Sequence, residues 1–394
     1  VLNVPPLRFP EFKGEWKKAT LEEVSSFSKG NGISKEEISK TGHDCVLYGE
    51  LYTDFSLTTQ IDQPILKTEL KLKKPVVSIA GQVLIPASGE THEDISNAVT
   101  INKAGVWLGG DLNIISPKSG LFGPFLACYF RGVKKREIGS LAQGDSVVHL
   151  NCSNISKILI SYPSEKEQKK IALIIRLIEK RIEVQRKIIE DITLQKKSIR
   201  SRCFNLENGP FANQRWALEP ISSFLEEQKN KQDCPDGNRL ITVRLKQEGV
   251  VKNSNFGNLK LGETQYYTRH VGEFIYGKQN LFNGAFGIVP LRLDGYSSSG
   301  DVPSFSFKGN INPVFFLELI ATEYKKMEKY STGTGSKRIH ENQFLSLNIP
   351  VPNESVQKKI VCVLMSLSKK EELEKKSLSL MESVKSYLLS ALFC

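Results

Sequence analysis

The chain has 394 residues, 40% hydrophobic and 25% charged, a balance that supports two or three folded domains and excludes wholesale disorder. The sequence has no apolar run of membrane-spanning length, and its opening lacks a secretory-signal pattern, so we expect a cytoplasmic protein. The formal charge of +11 favours a polyanionic partner such as nucleic acid. Seven scattered cysteines without a Cys-x-x-Cys pair indicate free thiols, not a disulfide framework or a zinc site.

The first block, residues 1–162, mixes short strand-like runs with polar, glycine-containing turns. Strands are predicted at 76–79, 82–85 and 112–115, and a short helix at 124–130. Polar loops between them carry side chains that suit contacts with base edges and phosphates of a DNA duplex. The candidates in this block are Lys29, Asn31, Lys35, Tyr48, Glu50, Tyr52, Thr53, Ser88, Glu90 and Thr91.

A long helix follows over residues 163–205. From Ser164 to Phe204 the sequence has neither Gly nor Pro, and Ser164 with Glu167 predicts a capping box at its start. Apolar residues recur at alternate steps of four and three, the spacing of a coiled-coil seam that is interrupted at Gln185 and Lys196. The predicted seam residues are Ile171, Ile175, Ile178, Ile182, Ile189 and Ile192.

The second block, residues 206–351, has the same mixed character and unrelated loops. Strands are predicted at 240–243 and 288–293, and a helix at 312–320. Its candidate DNA contacts, chosen on the same grounds, are Arg244, Lys246, Lys278, Gln279, Asn280, Ser297, Ser298, Lys337 and Arg338.

The last segment, residues 352–394, repeats the first helix at an offset of 189 residues. Pro163-x-Glu165-x-x-Gln168-x-x-Ile171 returns as Pro352-x-Glu354-x-x-Gln357-x-x-Ile360. The second seam consists of Ile360, Leu364, Leu367, Leu378, Met381 and Leu388. Short connections between blocks and helices favour an antiparallel pair. The sequence therefore predicts an α+β fold: two mixed α/β domains joined by two long antiparallel coiled-coil helices in a pseudo-two-fold repeat. Two amphipathic helices that dock separately on their own domains are the alternative.

The sequence contains no complete catalytic or metal-binding motif. Asn312-Pro313-Val314-Phe315 lacks the second proline of an adenine-methyltransferase site and fits a helix start better. Pro235-Asp236 and Glu323-Tyr324-Lys325 are too far apart to indicate a nuclease, and the five histidines have no metal-ligand spacing. His149 and His340 occupy equivalent places, which favours a structural role. The chain is predicted to be neither an enzyme nor a metal protein.

The repeated Pro-x-Glu-x-x-Gln-x-x-Ile motif, each copy heading a long helix that ends near a Phe, closely resembles the specificity subunit of bacterial Type I restriction–modification systems. The opening Arg8–Trp16, the segment Tyr48–Tyr52 and the segment Leu84–Thr91 are also similar to that family. The resemblance implies two target-recognition domains, each reading one half of a bipartite asymmetric site in double-stranded DNA, and helices that set the spacer.

The same resemblance implies two methyltransferase (modification) subunits docked on the helices, and restriction/translocase subunits joining that core. S-adenosylmethionine, ATP and Mg are then expected on the partner subunits and no cofactor on this chain. The alternative function is a coiled-coil adaptor or structural protein whose end domains bind proteins. A self-sufficient methyltransferase is opposed by the missing cofactor and catalytic motifs.

Overall fold

The computed structural model describes residues 4–144, 146–233, 236–254, 264–333 and 337–393. The chain divides into two compact units, the first comprising residues 1–188 and 374–394 and the second residues 189–373. Cys234, Pro235 and Cys394, which entered the sequence arguments, lie outside the described residues. Within the described ranges, no helix is long and apolar enough to cross a membrane.

The strands of the first domain are β1 (Lys17–Thr20), β2 (Ser25–Lys29), β3 (Ile38–Ser39), β4 (His43–Val46), β5 (Gln60–Ile61), β6 (Leu66–Thr68), β7 (Gln82–Pro86), β8 (Ser88–Gly89), β9 (Val99–Ile101), β10 (Trp107–Leu108), β11 (Leu112–Pro117), β12 (Val148–His149) and β13 (Leu159–Tyr162). They include one sheet in the order β2-β11-β7-β9-β5 and a second in the order β10-β4-β6-β3. The helices of this domain are α1 (Leu21–Val24), α2 (Gly123–Arg131), α3 (Lys135–Ser140) and α4 (Cys152–Ile155), and the chain continues into the long helix α5 (Glu165–Cys203).

The strands of the second domain are β14 (Trp216–Pro220), β15 (Leu225–Gln228), β16 (Lys231–Gln232), β17 (Ile241–Arg244), β18 (Gly249–Lys252), β19 (Tyr266–Arg269), β20 (Phe274–Tyr276), β21 (Phe286–Ile288), β22 (Tyr296–Ser299), β23 (Ser304–Phe307) and β24 (Asn348–Pro352). They include sheets in the orders β15-β23-β20-β21 and β16-β19-β22. Helices α6 (Pro313–Glu323) and α7 (Glu341–Ser346) precede the second long helix, α8 (Glu354–Ala391). Stacked aromatic rings fill the core of this domain, with Phe274 and Phe344 5.7 Å apart between centroids.

The sequence repeat has a direct structural meaning at the junction between each domain and its helix. β1 pairs antiparallel with β13, and β14 pairs antiparallel with β24. The strand that begins at or just after each opening Trp therefore pairs with the strand just before each long helix. The repeated glutamine, Gln168 or Gln357, joins each long helix to its domain by hydrogen bonds.

Gln168 and Gln357 are both completely buried and make the same set of hydrogen bonds. The Gln168 carbonyl accepts from Phe122 N–H at 2.8 Å, and its amide donates to the carbonyls of Gly120 and Pro163, both at 2.8 Å. The Gln357 carbonyl accepts from Asn312 N–H at 2.8 Å, and its amide donates to Asn310 and Pro352 at 3.2 and 3.0 Å. Each motif glutamine therefore joins the start of a long helix to the start of α2 or α6.

The two long helices pair antiparallel. In the first unit, Glu179 of α5 pairs with Lys385 at 2.8 Å, and further along α5 the Gln185 amide donates to the Glu374 carboxylate at 2.6 Å. Residue numbers thus fall along α8 as they rise along α5, which confirms the predicted fold class. The polar interruptions Gln185 and Glu374 are sequence equivalents, and they contact each other. The twelve residues predicted to form the seam are all buried or half-buried.

The ends of the long helices insert aromatic rings into the domain cores. In the second unit, Phe204 packs 5.4 Å from Phe315 of α6. In the first unit, Phe393 packs 5.4 Å from Phe125 of α2. Each long helix therefore ends against an equivalent aromatic residue, and burial of these large rings anchors it there.

Several local predictions were correct and several were wrong. β7, β11, β17, α2 and α6 lie where strands and helices were predicted. Residues 76–79 contribute only an isolated bridge at Val77, and residues 288–293 leave β21 for a helical turn at Leu291–Leu293. The capping box at Ser164 is only half formed, because Glu167 instead makes a two-pronged ion pair with Arg8 at 2.8 Å. Asn312 caps α6 as the helix-start interpretation requires, by accepting from Val314 and Phe315 N–H.

Candidate nucleic-acid interface

A groove of about 1230 Å³ opens on the first domain between the turn at Lys35–Glu37 and the turn at Tyr48–Leu51. The structure brings to this groove Lys35, Tyr48, Glu50, Tyr52, Thr53 and Glu90 of the predicted contacts. Glu36, Glu37, Asp54 and Asp111 line it as well, so carboxylates outnumber cations along its walls. Carboxylates repel phosphates but accept hydrogen bonds from the amino groups that adenine and cytosine present in the major groove.

Glu50 is the buried carboxylate of this groove, with 4% of its surface exposed. One carboxylate oxygen, Oε2, accepts from Leu47 N–H at 2.9 Å. The other, Oε1, is buried and has no hydrogen-bond partner among the described residues. Burial, with a smaller effect of the nearby Asp54 charge, raises the pKa of Glu50 to about 7. The groove therefore holds a buried carboxyl oxygen that has no hydrogen-bond partner among the described residues.

Two half-buried tyrosines flank Glu50 in the chain. The rings of Tyr48 and Tyr52 lie 6.3 Å apart between centroids and are tilted against each other. Burial raises the pKa of Tyr52 above its usual value, so its hydroxyl stays protonated at neutral pH and can donate a hydrogen bond. Aromatic and hydroxyl groups at the mouth of a polar groove suit contact with bases.

A basic segment beside this groove was missed by the sequence analysis. Lys71, Lys73 and Lys74 are exposed, while Leu70 and Leu72 pack inward. Asn31 holds the segment in place, because its amide donates to the Lys74 carbonyl at 3.2 Å and accepts from Val76 N–H at 3.1 Å. The alternation of Leu and Lys over residues 70–73 was the available signal. The segment adjoins the groove, because the Leu72 side chain lies against Gly32, which lines it.

The remaining first-block candidates have other environments. Lys29 is exposed at the end of β2. Asn31 serves the backbone contacts just described, and Thr91 bonds to Asp94 at 2.7 Å. Ser88 is buried, and its hydroxyl lies 3.0 Å from Nδ1 of the exposed His149. Ser88 is therefore corrected from a candidate DNA contact to an internal residue.

In the second domain the structure brings together two separate candidate segments. The Ile339 N–H donates to the Lys278 carbonyl at 2.9 Å, which joins residues 278–280 to residues 337–339. The Arg338 guanidinium donates to the Gln279 amide oxygen at 2.7 Å and pairs with Asp301 at 3.1 Å. Lys278 pairs with Glu341 at 2.7 Å on the wall of a polar pocket of about 450 Å³ that Tyr267 and Arg269 also line.

Burial explains why two of the predicted DNA contacts in this domain, Ser297 and Ser298, were wrong. Arg269 is 1% exposed and donates to Ser298 at 2.8 Å and Ser304 at 2.9 Å; burial lowers its pKa to about 10. Ser298 in turn donates to the Val302 carbonyl, and Ser297 is buried next to it, so these two serines are internal and not surface contacts.

The other candidates of this domain lie on turns or in surface ion pairs. Arg244 and Lys246 lie at the β17–β18 turn, and Asn280 closes a turn. Lys337 pairs with Glu328.

The long helices carry a second kind of surface. In the first unit, apolar side chains on the outer faces of α5 and α8 remain exposed, several by more than half of their surface. They are Leu173, Leu177, Val184 and Ile188 on α5 and Leu380, Val384 and Tyr387 on α8. Exposed apolar side chains that recur along a helix in this way are typical of a protein–protein interface.

The described residues contain no group of His, Cys, Asp and Glu that could hold a metal ion. Their cysteines, which are Cys45, Cys128, Cys152, Cys203 and Cys362, are free thiols. Burial raises the pKa of Cys45 to about 11, which suits a structural thiol and not a nucleophile.

A protein-family model matches most of this sequence. The family model described as Type I restriction modification DNA specificity domain matches residues 13–194 and 228–383, which together make up most of the chain. No curated protein matches the sequence.

Two solved structures align with this chain over nearly its full length. The crystal structure of the S subunit of a Type I restriction–modification system from M. genitalium aligns over 99% of this chain and 99% of its own, with a TM-score of 0.64 and 16% identity. A chain from a study of complex assembly and conformational transition of the type I R-M system aligns over 95% of this chain and 96% of its own, with a TM-score of 0.54 and 13% identity. Similarity at this level of identity establishes a shared fold.

Proposed function

Because the chain belongs to the family of Type I restriction modification DNA specificity domains, we propose that it is the DNA-reading subunit of a Type I restriction–modification complex. Each domain reads one half of a bipartite, asymmetric site in double-stranded DNA. The observation that carries this proposal is the contrast between repeated junctions and unlike surfaces: Gln168 and Gln357 make matching hydrogen bonds, whereas the two domains present different grooves. Such an arrangement holds two independent readers in equivalent positions.

The functional divisions of the chain form part of this proposal. Residues 1–162 and 206–351 are the target-recognition domains, and residues 163–205 and 352–394 are the helices that set the spacer between half-sites. The β1–β13 and β14–β24 pairings support these limits, because each closes a domain immediately before a long helix.

DNA contacts in this proposal divide into base reading and phosphate binding. In the first domain, the groove at Glu50 faces base edges and the exposed lysines at 71, 73 and 74 bind phosphates. In the second domain, the joined segments at 278–280 and 337–338 form the corresponding surface, with Arg244 and Lys246 on a neighbouring turn.

Catalysis resides on partner subunits. The exposed apolar faces of α5 and α8 support docking of two methyltransferase subunits, which bring S-adenosylmethionine and the methylation chemistry. Restriction/translocase subunits that use ATP and Mg join the same core. This chain carries no cofactor and acts in the cytoplasm, where the DNA and its partners are.

Lysine substitution tests the docking surface. Leu173→Lys with Leu177→Lys places two charges on the exposed face of α5, where they should prevent co-purification of the methyltransferase subunit without unfolding the chain. Glu183→Lys, on an exposed stretch of the same helix, is the matched control for added positive charge. Retention of the methyltransferase by the double variant would contradict this docking site.

DNA methylation patterns test the function itself. A host that carries the chain with its methyltransferase should show one bipartite methylated motif that is absent from a host lacking the chain. A coiled-coil adaptor, the alternative, would leave the methylation pattern unchanged and would not increase retention of duplex DNA on nitrocellulose in the presence of the methyltransferase.

A further inference from the structure

The groove on the first domain combines features that point to a particular kind of base contact. Glu50 is almost fully buried, and its Oε2 is committed to Leu47 N–H, while its Oε1 has no hydrogen-bond partner among the described residues. An unpaired buried acceptor carries an energetic penalty that a donor from a ligand would remove.

The surroundings of Glu50 select the class of donor. The acidic walls at Glu36, Asp54 and Glu90 disfavour a phosphate inside the groove. The exposed lysines of the adjoining segment, at 71, 73 and 74, are available for phosphate contacts. A duplex held by those lysines presents base edges to the groove, and in the major groove only adenine N6 and cytosine N4 offer donors.

We propose that Glu50 is a specificity-determining residue that accepts a hydrogen bond through Oε1 from the exocyclic amino group of an adenine or cytosine in the first half-site. This inference rests on the proposed function, since it assigns one base contact within it. Because Oε1 is shielded in the free chain, neighbouring side chains rearrange when DNA binds, as interface side chains commonly do.

A single substitution inverts the hydrogen bond. In Glu50→Gln, Leu47 N–H still requires an oxygen, so the amide oxygen takes the position of Oε2 and the NH₂ takes the position of Oε1. An acceptor becomes a donor, which fits the keto oxygen of thymine or guanine in place of an amino group. The recognised base at one position of the first half-site should therefore change from adenine or cytosine to a keto base.

Glu23→Gln is the matched control. Glu23 caps a helical turn in the same way, since its Oε2 accepts from Thr20 N–H at 2.6 Å, but it is exposed and does not line the groove. This variant removes the same charge and alters the same kind of cap, and it should leave the methylated motif unchanged.

The experiment compares methylated motifs in hosts that express the methyltransferase with the wild-type chain, Glu50→Gln or Glu23→Gln. The inference predicts that Glu50→Gln changes one base of one half-site and leaves the spacer and the other half unchanged. An unaltered motif in Glu50→Gln, with a bipartite wild-type motif, would overturn the role of Glu50 and leave the proposed function standing. Absence of any chain-dependent motif in the wild type would overturn the proposed function.

Base analogues test the contact in the wild-type complex as well, so the inference can still be refuted if Glu50→Gln does not assemble. The wild-type complex is titrated with duplexes in which each adenine or cytosine of the first half-site is replaced in turn by purine or 2-pyrimidinone, which lack the amino group. One replacement should weaken binding about tenfold, the effect of one well-placed base contact, and an assembled Glu50→Gln complex should not respond to it. Equal affinity for every analogue duplex would refute the inference.

Discussion

Removing the side chain of Gln357 should destabilise the second unit by about 3 kcal/mol. Gln357 is 2% exposed, and Gln357→Ala removes its three hydrogen bonds, to Asn312 N–H, Asn310 O and Pro352 O. A buried hydrogen bond contributes about 1 kcal/mol net, and partners left unsatisfied increase the loss. The equivalent Gln168→Ala, which also removes three bonds, should destabilise the first unit by a similar amount.

Equilibrium urea unfolding, followed by circular dichroism, measures the loss, and hydrogen exchange of peptides from α6 locates it. Lys358→Ala is the control, because the adjacent Lys358 is largely exposed and pairs only at the surface with Glu354. Its effect should stay below about 1 kcal/mol, as for other surface ion pairs. If Gln357→Ala were no more destabilising than Lys358→Ala, the hydrogen bonds of Gln357 would not stabilise the junction between helix and domain.

Two further predictions concern charge and length. Because burial raises the pKa of Glu50 from 4.5 to about 7, its proton binds more tightly in the folded chain, so stability falls as pH rises through that range. Wild type should lose about 2 kcal/mol more than Glu50→Gln between pH 5 and pH 8 in urea unfolding, and parallel pH profiles would contradict the burial effect. Inserting one heptad into α5 and one opposite it in α8 keeps the seam in register and lengthens the helix pair by about 10 Å. The methylated motif should therefore gain about three unread base pairs between its half-sites. An unchanged spacer would show that the helices do not set the distance between the half-sites.

Periodicity made the helices predictable from sequence, whereas the location of the sheets depended on distant contacts. The four–three spacing from Ile171 to Ile192 and its second copy predict long paired helices, and α5 and α8 begin and end within a residue or two of the predicted limits, save at the end of the chain. Residues 76–79 are as apolar as a strand, but Val77 and Ile79 are exposed, so hydrophobicity alone misplaced that segment.

The candidate interface was predictable where its residues are close together in the chain. Residues 48–53 form one turn, and the groove includes most of them. The prediction from loop polarity was wrong where a buried side chain bonds to a residue distant in the sequence. Ser88 bonds to His149 in this way, and Ser298 bonds to Arg269. Those pairings exist only in the folded chain, so loop polarity could not distinguish internal serines from surface serines.

Exchange of one recognition domain tests the central claim most directly. Residues 206–351 are replaced by the corresponding block of another family member, and the motif methylated in a host with the methyltransferase subunit is read from genomic DNA. Independent reading by two domains predicts that one half of the motif changes while the other half and the spacer remain as in the wild type. A change in both halves at once, with the methyltransferase still bound, would contradict independent reading.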